Sequence, residues 1–509
     1  MTGLSPSIQQ KSGIGSWMIA LVAVVLSAIL GLTMMRGGEY WPLYAALGAV
    51  AFVVILVRPE MTTLLILFVL YSNMAVIAKN NGVPEPIATG VFGVLALPLF
   101  QYVVVRRQRI IVNPMFVLMI LYLGVLYVSA AASARASESE DRIFSYVVEG
   151  LVLYFLIINT LRTRELLRKA VWVLIFSGVV MGTLSLYQEI TGDYDNDFGG
   201  WAQVKESEIN VSGEDFFGQR ESRPRLAGPI GSKNRYAQIM VVLLPLAVSQ
   251  IVANRSLLVR AYSALACIPI VGGALLTFSR GAGIAIGVIL LVFMLLRVFK
   301  LRTIALVALV VYITVIVFVP DYLYRITTVT SVASLLEGDE ENADGAVLGR
   351  ATVNLAAIEI FLSNPVLGVG PGQTAHYVRQ IGNQFGLRLL ASDRRAHNMY
   401  LEELADTGVV GFSVFMSIVG LTMWRLWRLS RAWKNVDSTV YYTLIGIFIA
   451  IIGYLVTAVF LHLSYVRYYW LLLAFAAAAI HVYSTVSSEQ EEGTPALESA
   501  ARNVATSRI

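Results

Sequence analysis

The chain has 509 residues, 57% of them apolar and only 14% charged, and a mean hydropathy of +0.70. That balance excludes a soluble globular protein and identifies an integral membrane protein. The formal charge of +5 comes mostly from short loops, and no basic run interleaves with aromatic residues, so nucleic-acid binding is excluded as well. One cysteine, Cys267, inside an apolar run, rules out a disulfide framework or a CxxC metal pair and reads as a small buried hydrophobe.

In chain order, residues 1–16 form a polar N-terminal segment. Runs close to the roughly 20 residues needed to cross about 30 Å of hydrocarbon then fall at 17–35, 41–57, 61–78, 87–105, 115–132, 143–160, 170–189, 235–253, 258–278, 282–299, 303–319, 409–429, 439–461 and 466–485. They predict an all-α polytopic membrane protein with 12 to 14 transmembrane helices. The range reflects the short second run and the sixth, which carries Glu149. The first run starts at Trp17, has no small-residue cleavage site and is followed by further spans, so it reads as a retained helix and not a signal peptide.

Lys and Arg concentrate in alternate connections, among them Arg106, Arg107 and Arg109, then Arg162, Arg164, Arg168 and Lys169, and later Arg425, Arg428, Arg431 and Lys434. By the positive-inside rule both termini are cytoplasmic. The membrane domain then covers 17–485, with two exoplasmic loops at 190–234 and 320–408, and residues 486–509 form a polar, disordered cytoplasmic tail.

Both loops begin acidic and turn basic as they approach the membrane. The first runs from Asp193, Asp195 and Asp197, a solvated turn, to Arg220, Arg223, Arg225, Lys233 and Arg235. The second runs from Asp339, Glu340, Glu341 and Asp344 to Arg379, Arg388, Arg394 and Arg395. Within it, Val347, Ala351, Leu355, Ile358 and Leu362 recur at helical spacing and predict an amphipathic helix over 346–362 that lies on the membrane or caps the bundle. Asn364-Pro365 stops that helix, the glycines of Gly368-Val369-Gly370-Pro371-Gly372 make a tight turn, and a short helix carries His376.

His397 opens the next helix after two arginines, and its near-neutral pKa suits a general base that takes a proton from a hydroxyl. Of the acids that follow, Glu402 and Glu403, at least one is expected on a solvated face. Arg280 sits in so short a turn that its guanidinium must lie at the membrane surface, where it either snorkels or binds an anion. Regions near 225, 280 and 394–397 thus bring Arg or His to one side of the membrane. Clustered arginines with no metal-ligand constellation suit a lipid-linked diphosphate, whose leaving group they stabilise as a glycosyl bond breaks.

These motifs resemble, in order and spacing, the O-antigen ligase and Wzy-type polysaccharide polymerase superfamily. The resemblance rests on Arg225-Leu-Ala-Gly-Pro-Ile-Gly-Ser-Lys-Asn234, Phe278-Ser-Arg280-Gly, Asn364-Pro-Val-Leu-Gly-Val-Gly370-Pro-Gly and His397-Asn-Met-Tyr-Leu-Glu-Glu-Leu-Ala-Asp-Thr-Gly408, and it covers about 170–430. Lys233 departs from it, standing where the family commonly has proline. The resemblance implies a metal-independent, inverting glycosyltransferase without a cofactor, working at the outer face of the bacterial cytoplasmic membrane on an undecaprenyl-diphosphate-linked glycan. It assigns diphosphate binding to Arg225 and Arg280 and acceptor activation to His397. Arg223, Arg235, Arg394 and Arg395 are further candidates for the diphosphate. The leading expectation is a polymerase of O-antigen or exopolysaccharide repeats, whose acceptor is a second glycan; the same-family alternative is a ligase that transfers the finished glycan to lipid A-core. Membrane lipids, a chain-length regulator and a flippase are the partners this implies. A polytopic transporter is the rival from another class, disfavoured because the spans carry almost no ionisable groups besides Glu149.

Overall fold

The computed structural model describes residues 59–83, 90–133, 135–205, 224–299, 345–385, 395–463 and 467–485. The predicted runs at 17–35, 41–57 and 303–319, both terminal segments and nearly all of the acidic stretch of the second loop lie outside them, as do Arg223 and Arg394.

Every predicted run inside the described residues is helical: α1 (Pro59–Tyr71) and α2 (Met74–Asn80), bent by 63° at Ser72-Asn73, α3 (Gly93–Val105), α4 (Pro114–Ala132), α5 (Glu140–Thr160), α6 (Arg164–Thr191), α7 (Lys233–Ala253), α8 (Leu257–Leu275), α9 (Arg280–Leu295), α12 (Met399–Trp433), α13 (Ser438–Ala458) and α14 (Arg467–Thr485). Among the described residues eight are long and apolar enough to cross a membrane, or nine if the bent pair is one span. The protein is an all-α membrane protein. Its remaining elements are α10 (Gly345–Ser363), α11 (Thr374–Gly382) and a small antiparallel pair, β1 (Gln203–Lys205) with β2 (Arg225–Gly228).

Local chemistry sets the helix ends. Pro114 occupies the first turn of α4 while Asn113 Oδ1 accepts from Phe116 N at 2.8 Å. Thr163 caps α6 in the same way, and Gly192, at φ 70°, closes it. Lys233 is the first residue of α7, the position where proline's missing N–H costs nothing; a lysine there keeps the helix start in place.

Packing centres on α7, which is buried along most of its length against α8, α9 and α13. Small residues let these backbones approach, as expected where lipid supplies no hydrophobic drive between helices. At the α6/α8 crossing a Cβ on Gly182 would lie 2.0 Å from Pro269 O. Glu149, the main ionisable exception in the predicted spans, pairs with Arg467 at 4.0 Å.

A second, smaller core joins α10, α11 and the start of α12 through Val353, Ala356, Ala357, Ile360, Val378 and Ala405. The helix predicted over 346–362 is α10, and it has two apolar faces. Leu355, Ile358 and Leu362 of the predicted stripe are exposed, while Val353, Ala356, Ala357 and Ile360 pack inward. α12 breaks at Gly408 (φ 64°, ψ −172°), a conformation essentially reserved for glycine. The glycine turn after α10 clasps this break: Val369 N donates to Ala405 O and Gly370 N to Asp406 O, both at 2.9 Å, and Val409 N donates to Pro365 O at 2.8 Å.

Candidate functional site

The first loop's basic end enters the bundle as β2. Arg225 is 4% exposed, and its guanidinium donates to Thr277 O at 2.7 Å, to Phe278 O at 3.1 Å and toward Asn234 Oδ1 at 3.5 Å. It therefore fixes the tight α8–α9 turn, in which Phe278 has φ 52°, and so places Arg280 at the first residue of α9. Gly281 follows because a Cβ there would meet the Phe460 ring at 2.9 Å. The result is a cleft lined by Arg225, Asn234, Arg280, Arg350, Thr457 and Phe460, among others. Its free volume is ≈ 30 Å³, room for a water or two, and ≈ 480 Å³ when the empty space out to solvent is counted. Three guanidiniums and the first backbone amides of a helix around one opening favour an anion.

Beside this cleft lies a knot of buried charge at the start of α12. Asn398 caps the helix, its Oδ1 accepting from Tyr400 N at 2.9 Å and Leu401 N at 3.2 Å. Glu402 and Glu403 are both buried, at 1% and 5% exposure, which corrects the expectation that one of them faces solvent. Glu402 pairs with Arg395 at 2.6 Å and with Arg142 at 3.9 Å, and its Oε2 accepts from Leu463 N at 3.0 Å. Arg142 and Arg395 in turn donate to Leu463 O at 2.7 and 3.2 Å. Tyr122 OH donates to Glu403 Oε2 at 2.5 Å, and the Asp406 carboxylate accepts from Gly372 N, Thr374 N and Thr374 Oγ1 at 2.8, 3.0 and 2.6 Å.

The connection between α13 and α14 links the two regions. Phe460 and Leu461 line the arginine cleft, His462 O accepts from Arg235, and Leu463 is held by the Glu402 knot. The His397 and His462 rings stand 5.9 Å apart. Burial pushes the His462 imidazole down to about 3, so it stays uncharged at neutral pH. It adds no positive charge beside His397.

Arg225 and Arg280 thus share one cleft. His397, Arg235 and Arg395 do not line it; they sit along its α13–α14 border, where Arg235 and Arg395 hold the connecting backbone. Three residues escaped sequence reasoning. Arg350 was one polar position inside an amphipathic helix, His462 lay among apolar residues between two spans, and Arg142 looked like an ordinary loop cation. Among the described residues no group of three His, Cys, Asp or Glu side chains has the spacing of a metal site.

Residues 265–416, which run from α8 through the first part of α12, match the family model described as O-Antigen ligase. Over those residues the chain is similar to the O-antigen ligase family. The matched region holds Arg280, Arg350, Arg395 and His397, while Arg225, Arg235 and His462 reach the site from outside it. No curated protein matches the chain.

Proposed function

We propose that this protein is a glycosyltransferase that draws a glycan from an undecaprenyl-diphosphate carrier at the outer face of the cytoplasmic membrane and polymerises repeat units of an O-antigen or exopolysaccharide. The observation that carries the reading is the convergence of Arg225, Arg280 and Arg350 on one cleft bordered by the His397–His462 pair. The diphosphate seats across the mouth of the cleft, because the space between the guanidiniums is only that of a water or two. His397 takes the proton of the acceptor hydroxyl as its oxygen bonds to the sugar's anomeric carbon. The bond from that carbon to the diphosphate breaks, and the arginines hold the charge that develops on the leaving oxygen. Attack opposite the leaving group inverts the anomeric centre. A neutral His462 keeps repulsion low while His397 is protonated.

Transfer of the finished glycan to lipid A-core is the second reading, favoured by the description of the matched family as O-Antigen ligase. Purified protein supplied with lipid-linked repeats separates the two. A ladder of products supports the polymerase, and a single transfer to lipid A-core without a ladder supports the ligase. In either assay His397→Ala is expected to leave a folded, inserted protein with no glycan transfer, and activity of the wild type is expected to persist in chelator. Full activity of His397→Ala at matched expression would sink the assignment of the base.

A further inference from the structure

A second cavity lies on the other side of the Gly408 clasp. Its walls are the end of α4 (Ala132, Ser133), the end of α10 (Ile360, Ser363, Asn364), the glycine turn (Gly368, Val369) and α11 (Tyr377, Ile381). Its free volume is ≈ 250 Å³, well above the roughly 150 Å³ of a cavity that takes up a benzene ring. The walls are tied to one another. Ser129 Oγ donates to Leu367 O at 2.7 Å, a Cβ on Gly370 would lie 2.8 Å from Ser133, and the glycine turn bonds to Ala405 and Asp406.

The chemistry of this lining differs from that of the arginine cleft. No charged side chain lines it among the described residues, which offer a phosphate no counter-charge. Three hydroxyls and an amide line it, so an acyl chain would strand polar groups. The hydroxyls of Ser363 and Tyr377 make no hydrogen bond with other described residues, and the Asn364 amide spends only Nδ2, on Ile360 O at 3.4 Å. Apolar surface from Ile360, Val369 and Ile381 alternates with these groups. Hydroxyls around a ring with apolar C–H faces match that alternation.

Asp406, against which the glycine turn packs, is eight residues along the helix from Asn398, about 12 Å of helix rise, so the turn that walls the cavity meets α12 away from its His397 end. A sugar held there is not the one that reacts. We infer that this cavity is a subsite for a neutral, polyhydroxylated sugar ring of the glycan, remote from the reacting centre. The subsite rests on the proposed function. It supplies binding energy from a part of the substrate that undergoes no chemistry.

Cysteine protection tests it. In a Cys267→Ala background, Ser363→Cys reports on the cavity and Phe460→Cys on the arginine cleft, each labelled with a small thiol reagent. The probes are lipid-linked repeat units extracted from the host's own membranes and bare undecaprenyl diphosphate. At ten times its Kd the glycan-bearing lipid should slow labelling of Ser363→Cys about tenfold, whereas the bare lipid should slow only Phe460→Cys. Protection of Phe460→Cys without protection of Ser363→Cys overturns the subsite, and so does equal protection of Ser363→Cys by the bare lipid. If neither lipid protects Phe460→Cys, the proposed function itself fails. Ile381→Cys on the facing wall gives the same reading should Ser363→Cys not assemble.

Discussion

Two neighbouring regions use the same residue types to opposite ends. In the cleft at the start of α9, Arg225, Arg280 and Arg350 surround an opening with no carboxylate among its described lining residues. In the knot at the start of α12, Arg142 and Arg395 converge on the buried Glu402, and Asp406 is satisfied by the Gly372–Thr374 turn. Arg225 both lines that cleft and anchors the α8–α9 turn through Thr277 O and Phe278 O. Cations that close on a buried carboxylate hold backbone in place. Arg395, next to the candidate base in the sequence, pairs with Glu402, while Arg350, more than forty residues before His397, lines the cleft.

The sharpest way to break that contrast is to remove one cation and one anion from opposite sides of it. Arg280→Ala should lower glycan transfer by about 10²–10³-fold, the scale for losing one donor to a developing oxyanion, with thermal stability in detergent near that of the wild type. Glu402→Ala should instead cost about 3–5 kcal/mol of stability, since it leaves Arg395 and Arg142 without their buried partner. The two variants need both an activity assay and a melting curve. An unstable Arg280→Ala or a stable, inactive Glu402→Ala would erase the distinction.

The clasp behind the knot gives the next effect. Gly408→Ala places a Cβ 2.2 Å from Val366 O at a φ of 64°, so it should destabilise by about 1–3 kcal/mol, and Gly281→Ala should cost less because it displaces only the Phe460 ring. Denaturation midpoints of the pair should fall in that order.

The smallest effect concerns His462. In the unfolded chain its imidazole titrates near 6.5, whereas in the fold burial holds it down to about 3. Above pH 6.5 both states are neutral. As the pH falls from about 6.5 toward about 3 the unfolded chain gains a proton that the folded one refuses, and stability is lost. Melting temperatures between pH 7.5 and pH 5 should therefore decline, and His462→Gln should flatten part of that decline. An unchanged slope would show that His462 is more solvated than its packing indicates.

Much of the architecture was legible in the chain because crossing a hydrocarbon layer demands long apolar helices, and such runs are written contiguously. Each described run became a helix, and the helices predicted around 346–362 and His376 formed as α10 and α11. Of the motif residues, Arg225 and Arg280 line one cleft and His397 stands beside His462. Misreadings arose where meaning depends on the partner. At least one of Glu402 and Glu403 was expected on a solvated face because helix periodicity says nothing of Arg142 and Tyr122, which come from helices more than two hundred residues earlier. The Asn364–Gly372 run looked like a glycine turn, and it is one, but its work is to hold the break at Gly408.

The sequence by itself determined that this is a polytopic helical membrane protein, because apolar length is a local property. Only the tertiary structure decided which cations line a cleft and which close on Glu402, that Arg350 lines that cleft while His462 stands beside His397, and that a cavity with no charged side chain among its described lining residues stands behind the clasp. Those outcomes depend on which side chains meet across distant helices. Electrostatics and hydrogen bonding act over a few ångströms of space, irrespective of separation along the chain.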